Sequence, residues 1–261
     1  MGIIESIILG VVQGITEFIP VSSSGHLSIA GALLDLEDAF EFDVLLNIGT
    51  LAALVYHTRT QLLQLVRQFL GGQRQTGYKL IAATLPAAVA GLVFSDRIES
   101  VNDNTQLVLV MLALVGAAMV LVKPKKSPLK DMEDINWRIV GFIGFAQVLA
   151  LVPGTSRSGI TILAGLYIGL SRGLSAQWSF LMAIPIIAGA TAKILLSPDG
   201  LELVSGNMAE VIVGNIASFV VGLLAIGFLL RILGSNTLKP FGYYRIGLTA
   251  VLAVLLAVDV I

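Results

Sequence analysis

Six apolar runs of membrane-spanning or near-spanning length set what this chain can become. They cover roughly residues 43–57, 78–94, 106–123, 178–197, 210–231 and 241–261. A helix needs about 20 apolar residues to cross a bilayer, within a range of about 17–25. The first run is short, and its ends lie in apolar flanks. With 56% hydrophobic residues and only 13% charged, against about 25% for an ordinary soluble domain, the chain has too little charge to coat a soluble surface. The composition excludes a soluble globular protein, a disordered chain and a nucleic-acid binder. The absence of Cys excludes disulfides, thiolate metal sites and Cys nucleophiles. No basic n-region precedes a short apolar run, so no cleavable leader is expected.

Two further regions, 3–35 and 138–170, are apolar at both ends and broken in the middle. The breaks are Pro20-Val21-Ser22-Ser23-Ser24-Gly25-His26 and Pro153-Gly154-Thr155-Ser156-Arg157-Ser158-Gly159. Each flank is about 12–16 residues, too short to span, and fits a re-entrant hairpin. The loops test this reading. Arg59, Arg67, Arg74 and Lys79 form one basic loop. Lys123, Lys125, Lys126, Lys130 and Arg138 dominate a second, and Arg231 and Lys239 mark a third. The others are acidic: Asp35, Glu37, Asp38, Glu41 and Asp43; Asp96, Glu99 and Asp103; Asp199, Glu202 and Glu210. Lys and Arg excess marks the cytoplasmic side. The alternation closes only if both broken regions dip in and return, which puts both termini outside.

The expected fold is therefore an all-α polytopic membrane protein with six transmembrane helices and two re-entrant broken helical hairpins. Each half has one hairpin and three spans, entered from opposite sides: an inverted-topology repeat within a single membrane domain, with repeat one at about 1–125 and repeat two at about 135–261. At an offset of 134 residues, Gly10 matches Gly144, Gln13 matches Gln147, Ser22 matches Ser156, Ser24-Gly25 matches Ser158-Gly159, and Ala30-Gly31 matches Ala164-Gly165.

In such folds the two tips meet near the midplane and build the site. One tip offers Gln13, Thr16, Glu17, Ser22, Ser23, Ser24 and His26. The other offers Gln147, Thr155, Ser156, Arg157, Ser158 and Thr161. An acid, an imidazole and a guanidinium at membrane depth are expensive unless paired or set in a watery cavity. Together they suit an anion with an accompanying metal. Arg157 opens the helix after a Gly/Ser/Thr-rich break, and its planar donors match phosphate oxygens. No Walker loop is present. Glu17 and Gln13, four apart on one helix face, are candidate ligands for a hard divalent cation. Ser23 or His26 is the candidate nucleophile or its proton partner. Ser22, Ser24, Ser156 and Ser158 are also suited to capping or backbone satisfaction in the breaks.

Other polar residues read more plainly. Gln147 is expected to hydrogen-bond between the hairpins. Asn47 and Thr50 are candidate cavity residues. Arg245, Trp137 and Trp178 are expected at the membrane interface, and Lys193 is expected to snorkel.

Gln13-Gly14-Ile15-Thr16-Glu17 followed by Pro20-Val21-Ser22-Ser23-Ser24-Gly25-His26 resembles the first signature of the undecaprenyl-pyrophosphate phosphatase family. Pro153-Gly154-Thr155-Ser156-Arg157-Ser158-Gly159-Ile160-Thr161 resembles its second, and Pro240-Phe241-Gly242-Tyr243-Tyr244-Arg245 is also similar to the family. The resemblance implies a bacterial inner-membrane enzyme that removes the terminal phosphate of a C55 polyprenyl diphosphate, recycling the lipid carrier for peptidoglycan and conferring bacitracin resistance. Carried over, Glu17, His26 and Ser23 are catalytic. Arg157, with Ser156, Ser158, Thr161 and Gly154, binds the pyrophosphate. Glu17 and Gln13 hold a divalent cation, Mg2+ or Ca2+. Position 13 is Gln, which cannot act as an acid. The resemblance places the opening on the periplasmic face. The partners are the polyprenyl diphosphate and membrane lipids, with Gly-rich faces that permit a homodimer. A polyprenyl-phosphate flippase is the alternative, because inverted repeats with broken helices are also a transporter architecture.

Overall fold

A computed structural model describes every residue except 37–39, 103, 124, 126, 236 and 259–261, and leaves out the side chains of 96, 99, 102 and 235. Glu37, Asp38, Asp103 and Lys126, read above as loop charges, lie outside the described residues. The first half carries α1 (Ile3–Phe18), α2 (Ser23–Leu33), α3 (Phe40–Leu45), α4 (Asn47–Leu70), α5 (Gln75–Val93), α6 (Ser95–Asn102) and α7 (Thr105–Leu121). The second carries α8 (Trp137–Val148), α9 (Arg157–Ile168), α10 (Arg172–Leu195), α11 (Pro198–Gly206), α12 (Met208–Ser235) and α13 (Lys239–Ala257). Among the described residues the sole β feature is an isolated parallel bridge between Leu129 and Leu170.

The helices start where side-chain acceptors replace missing helical partners. Asn104 accepts from the Leu107 N–H, Asn136 from Ile139 and Ser171 from Leu174. Among the described residues four helices, α5, α10, α12 and α13, are long and apolar enough to cross a membrane. Their outer faces are apolar at helical spacing. Ile81, Leu85, Val89 and Leu92 line α5, and Ile212, Ile216, Val220, Leu224 and Phe228 line α12, each at least half exposed. Such stripes have no aqueous rationale and suit lipid. The sequence runs and the helices differ most at 43–57. A turn at Leu46 separates α3 from α4, and α4 continues to Leu70 through a segment bearing Arg59, Gln61, Gln64, Arg67 and Gln68. Hydropathy fades there while helical hydrogen bonding does not. The short helices α6 and α11 fall in stretches read from sequence as loops.

Packing treats the halves alike. α1 lies on α12 as α8 lies on α5, α4 packs on α12 as α10 packs on α5, and α7 pairs with α13. Small residues permit the first two contacts. A Cβ on Gly10 would strike the Gly214 carbonyl oxygen, and one on Gly144 would lie 2.8 Å from the Ala83 carbonyl oxygen. Side chains there would force the helices apart. The main core gathers Phe18, Ala53, Leu54, Met119, Ile162, Phe180, Ile226 and Phe241, with Phe18 edge-on to Phe180 at 5.9 Å. Trp178 corrects the interfacial expectation: it is fully buried with Ile143, Leu174 and Met182. Trp137 is 53% exposed.

Candidate active site at two broken helix tips

Both breaks fall where the sequence puts them and share one local design. α1 ends at Phe18 and α2 starts at Ser23; α8 runs into a 3-10 turn at Leu149–Leu151 and α9 starts at Arg157. Pro20 cannot donate a helical hydrogen bond. Gly154 takes φ +84, and a Cβ there would sit 2.5 Å from the Val108 carbonyl oxygen, so both conformation and space require Gly. Ser22 and Ser156 also have positive φ, 78 and 71. That conformation costs non-glycine residues roughly 1–3 kcal/mol and persists only where its surroundings enforce it. Here caps enforce it: Ser22 Oγ accepts from the Gly25 N–H at 3.4 Å, and Ser156 Oγ from the Gly159 N–H at 3.2 Å. Ser22 and Ser24 hydroxyls are 3.3 Å apart, as are those of Ser156 and Ser158. In this geometry Ser22 and Ser156 serve as caps.

The tips meet through Glu17. Its Oε1 accepts from Arg157 Nη2 at 2.5 Å, an ion pair whose side chains are only 12% and 10% exposed. Its Oε2 accepts from Ser23 Oγ at 2.9 Å and from Gln13 Nε2 at 3.3 Å. Its backbone carbonyl accepts from Ser158 Oγ at 3.2 Å. Gln13 also donates to Asn47 Oδ1 at 2.9 Å, which brings Asn47 to the site as expected. Thr50 is buried and turned to the Asn47 carbonyl of its own helix. Thr161 faces inward, where its hydroxyl meets the Arg157 carbonyl at 2.7 Å and Ser179 Oγ at 2.6 Å.

His26 is not turned to Glu17. Its Nδ1 lies 2.7 Å from the Ser22 carbonyl oxygen and its Nε2 lies 2.8 Å from Tyr244 Oη, with the two rings stacked at 5.8 Å. A carbonyl only accepts, so Nδ1 carries the proton. In the neutral ring Nε2 then accepts from the Tyr244 hydroxyl. That occupies the one basic nitrogen, and Glu17 is the base that touches Ser23.

Buried donors remain without a protein partner at tip two: Arg157 Nη1, Thr155 Oγ1 and Gln147 Nε2. Gln147 therefore corrects the expectation of a bond between the hairpins, since neither polar atom of its buried side chain has a partner. Unpaired donors aimed into a membrane protein are costly and suit phosphate oxygens. A divalent cation fits more narrowly. Among the described residues no three His, Cys, Asp or Glu side chains gather to hold a metal. The local set is one carboxylate with both oxygens engaged, plus the buried, partnerless Gln13 Oε1. It fits Mg2+ or Ca2+ as part of a shell completed by substrate oxygens.

Arg245, like Trp178 and Gln147, lies elsewhere than the sequence suggests. It is not at an interface but fully buried, donating to four backbone carbonyls. A cation inside a spanning run is itself a functional signal, and the rule that singled out Glu17 and Arg157 applies equally to it. Tyr244 gave no such signal, because its partner lies 218 residues away.

Residues 6–251 match the family model described as bacitracin resistance protein BacA. The chain is 38% identical to the undecaprenyl-diphosphatase of Chlorobium luteolum and 38% identical to undecaprenyl-diphosphatase 2 of Stutzerimonas stutzeri, each over 98% of both chains. It is 40% identical to the undecaprenyl-diphosphatase of Rubrobacter xylanophilus, over 97% of this chain and 98% of that one.

Proposed function

From the premise that the chain belongs to the bacitracin resistance protein BacA family, we propose the following reading of its site. The chain is a multi-pass membrane hydrolase that converts undecaprenyl diphosphate to undecaprenyl phosphate and inorganic phosphate. In the finer reading, α4, α5, α7, α10, α12 and α13 span the bacterial inner membrane, and α1–α2 and α8–α9 are re-entrant hairpins of two inverted repeats. The likeness of the two tips and of the helix pairings supports that arrangement. The termini and the site's opening face the periplasm, and the prenyl tail stays in the bilayer while the diphosphate enters between the tips.

One observation carries the mechanism: Ser23 Oγ donates to Glu17 Oε2 at 2.9 Å while Arg157 holds the other carboxylate oxygen. Ser23 passes its proton to Glu17, and its oxygen attacks the terminal phosphorus. The bond from that phosphorus to the bridging oxygen breaks, and the prenyl monophosphate leaves with the electron pair. Water then cleaves the phosphoserine, releasing phosphate and restoring the Ser23 hydroxyl. Arg157, through Nη1 and with Thr155 and Gln147 beside it, stabilises the charge that moves onto the phosphate oxygens. Ser156, Ser158, Thr161 and Gly154 hold the tip in shape. His26, fixed by Tyr244, sets the Ser22 carbonyl at the start of α2. Gln13 Oε1 and Glu17 would hold the divalent cation, which when bound supplies further neutralisation of the diphosphate. A polyprenyl-phosphate carrier would need the Arg157 cradle but no hydroxyl–carboxylate pair beside it.

The test is acid-quenched turnover of a polyprenyl diphosphate followed by mass spectrometry of the peptide containing Ser23. Phosphate on Ser23 is expected, with none in Glu17→Gln. Phosphate release by Ser23→Ala at the wild-type rate would reject Ser23 as the nucleophile.

A further inference from the structure

We propose that Arg245 is a positioning residue that sets the distance between the two catalytic tips, and so the alignment of Ser23, Glu17 and Arg157. Its guanidinium reaches three separate segments. Nη1 donates to the Pro20 carbonyl at 3.4 Å in the first break. Nη2 donates to the Gly154 carbonyl at 2.6 Å in the second and to the Met111 carbonyl at 3.2 Å, and Nε donates to the Leu112 carbonyl at 3.2 Å.

The physical need is clear. A broken helix leaves carbonyls without helical partners, and at membrane depth each such group costs several kcal/mol. Water would satisfy them without fixing their separation. One rigid planar group satisfies them and does fix it. The clamp also sits centrally in the chain order of the site. Glu17 lies three residues before Pro20, Ser23 three after it, and Arg157 three after Gly154. A shift of one tip against the other therefore moves the nucleophile and base relative to the cation.

The arm that carries Arg245 is held firmly. α13 approaches α7 at Gly116 and Gly242, where a Cβ on Gly116 would lie 3.0 Å from Arg245 Cβ and 3.1 Å from the Gly242 carbonyl oxygen. That close approach puts the guanidinium against the α7 carbonyls with enough reach left for both tips. The hydrogen-bond partners of Arg245 are all carbonyls, so a substitution that keeps the charge isolates its geometric contribution.

This inference rests on the phosphatase reading of the same site, and two measurements keep the two apart. The first is steady-state phosphate release from a polyprenyl diphosphate by Arg245→Lys in detergent. Lys keeps the charge but lacks the planar fork. The expected result is a kcat lowered about 10–100-fold, the scale of an ångström-level misplacement, with KM unchanged. Lost packing alone would lower the folded yield and leave kcat per folded molecule intact. The second needs no activity. The chain has no Cys, so spin labels on Cys introduced at Ser24 and at Leu149 report the tip-to-tip distance. A narrow distribution in the parent and a broad one in Arg245→Lys is expected. If Arg245→Lys fails to fold, Gly116→Ala, which displaces α13 without removing Arg245, is expected to give the same kcat loss and broadening. A parent-like label distribution with parent-like kcat overturns the clamp. A parent protein with no hydrolysis overturns the phosphatase reading, and the label distances still decide the clamp.

Discussion

Replacing Glu17 with Gln tests the base assignment most directly, because the change is nearly isosteric. The carboxylate accepts from Ser23 at 2.9 Å, from Arg157 at 2.5 Å and from Gln13 at 3.3 Å. An amide offers only one acceptor. Its oxygen must face Arg157, since two donors would otherwise meet, and its NH2 then faces Ser23, whose proton has nowhere to go. General-base catalysis contributes about 10²–10⁴-fold, which is about 2.7–5.4 kcal/mol at 1.36 kcal/mol per tenfold. Glu17→Gln should therefore lower kcat by that factor. KM should stay level or fall, because Arg157 no longer has to exchange a carboxylate for the diphosphate. Removing one partner of a largely shielded pair also destabilises, by up to about 3–5 kcal/mol for a fully buried pair. Here the melting temperature should drop and then recover when inorganic pyrophosphate supplies the missing negative charge. The assay is phosphate release from polyprenyl diphosphate in detergent, with thermal melts on the same preparation. A kcat within tenfold of wild type would refute Glu17 as the acceptor of the Ser23 proton.

Three further changes probe the surroundings. Tyr244→Phe removes the donor to His26 Nε2 while keeping the ring stack; kcat should fall less than with His26→Ala, and the double variant should be no worse than His26→Ala alone. Gly154→Ala introduces a side chain at φ +84 against the Val108 carbonyl; it should lower the melting temperature, with a cost above about 1 kcal/mol. Asp43, in the short helix α3 outside the spanning helices, has its carboxyl pushed up to about 7 by burial, and its Oδ1 has no partner. The folded state thus keeps a proton that the unfolded chain gives up near the ordinary carboxylate range. Stability is greatest below that range and declines as pH rises toward about 7. Asp43→Asn should flatten that decline in pH-dependent melts; an unchanged pH profile would count against the burial argument.

Elements whose physics is local were legible in the sequence. Apolar runs gave α5, α7, α10, α12 and α13 within a few residues, and Pro20 and Pro153-Gly154 gave both breaks. Glu17, Ser23 and Arg157 were legible because charge and hydroxyls at membrane depth demand a reason. What stayed hidden depends on contacts between distant segments. Trp178 looks interfacial beside a loop, yet it belongs to a buried cluster drawn from α5, α8, α9 and its own helix α10. Arg245 sits near a basic loop in the chain and under both tips in space. The end of α4 is another case, since its helical hydrogen bonds persist beyond the apolar stretch that marks a span.

Under the proposed repeat, the two tips build a one-sided site from one scaffold. Ser22 and Ser156 set the same strained turn and the same cap, so each tip delivers its next residue at the first position of a helix. At tip one that residue is Ser23; at tip two it is Arg157. Under the proposed repeat these positions correspond at the 134-residue offset, and Glu17 corresponds to Leu151. The carboxylate is present once, where it touches both. A symmetric pair of serines would offer two nucleophiles and no phosphate anchor, and a symmetric pair of arginines would bind and not react. On the proposed reading, hydrolysis draws on the turn and cap that the tips share and on Ser23, Arg157 and Glu17, where they differ. Exchanging the two residues, Ser23→Arg with Arg157→Ser, should preserve both caps and the fold while placing the hydroxyl on the tip that lacks its own carboxylate. Loss of activity is expected; activity that survived would show that Glu17, which touches both positions, can take a proton from a hydroxyl at either tip, and would refute a one-sided site.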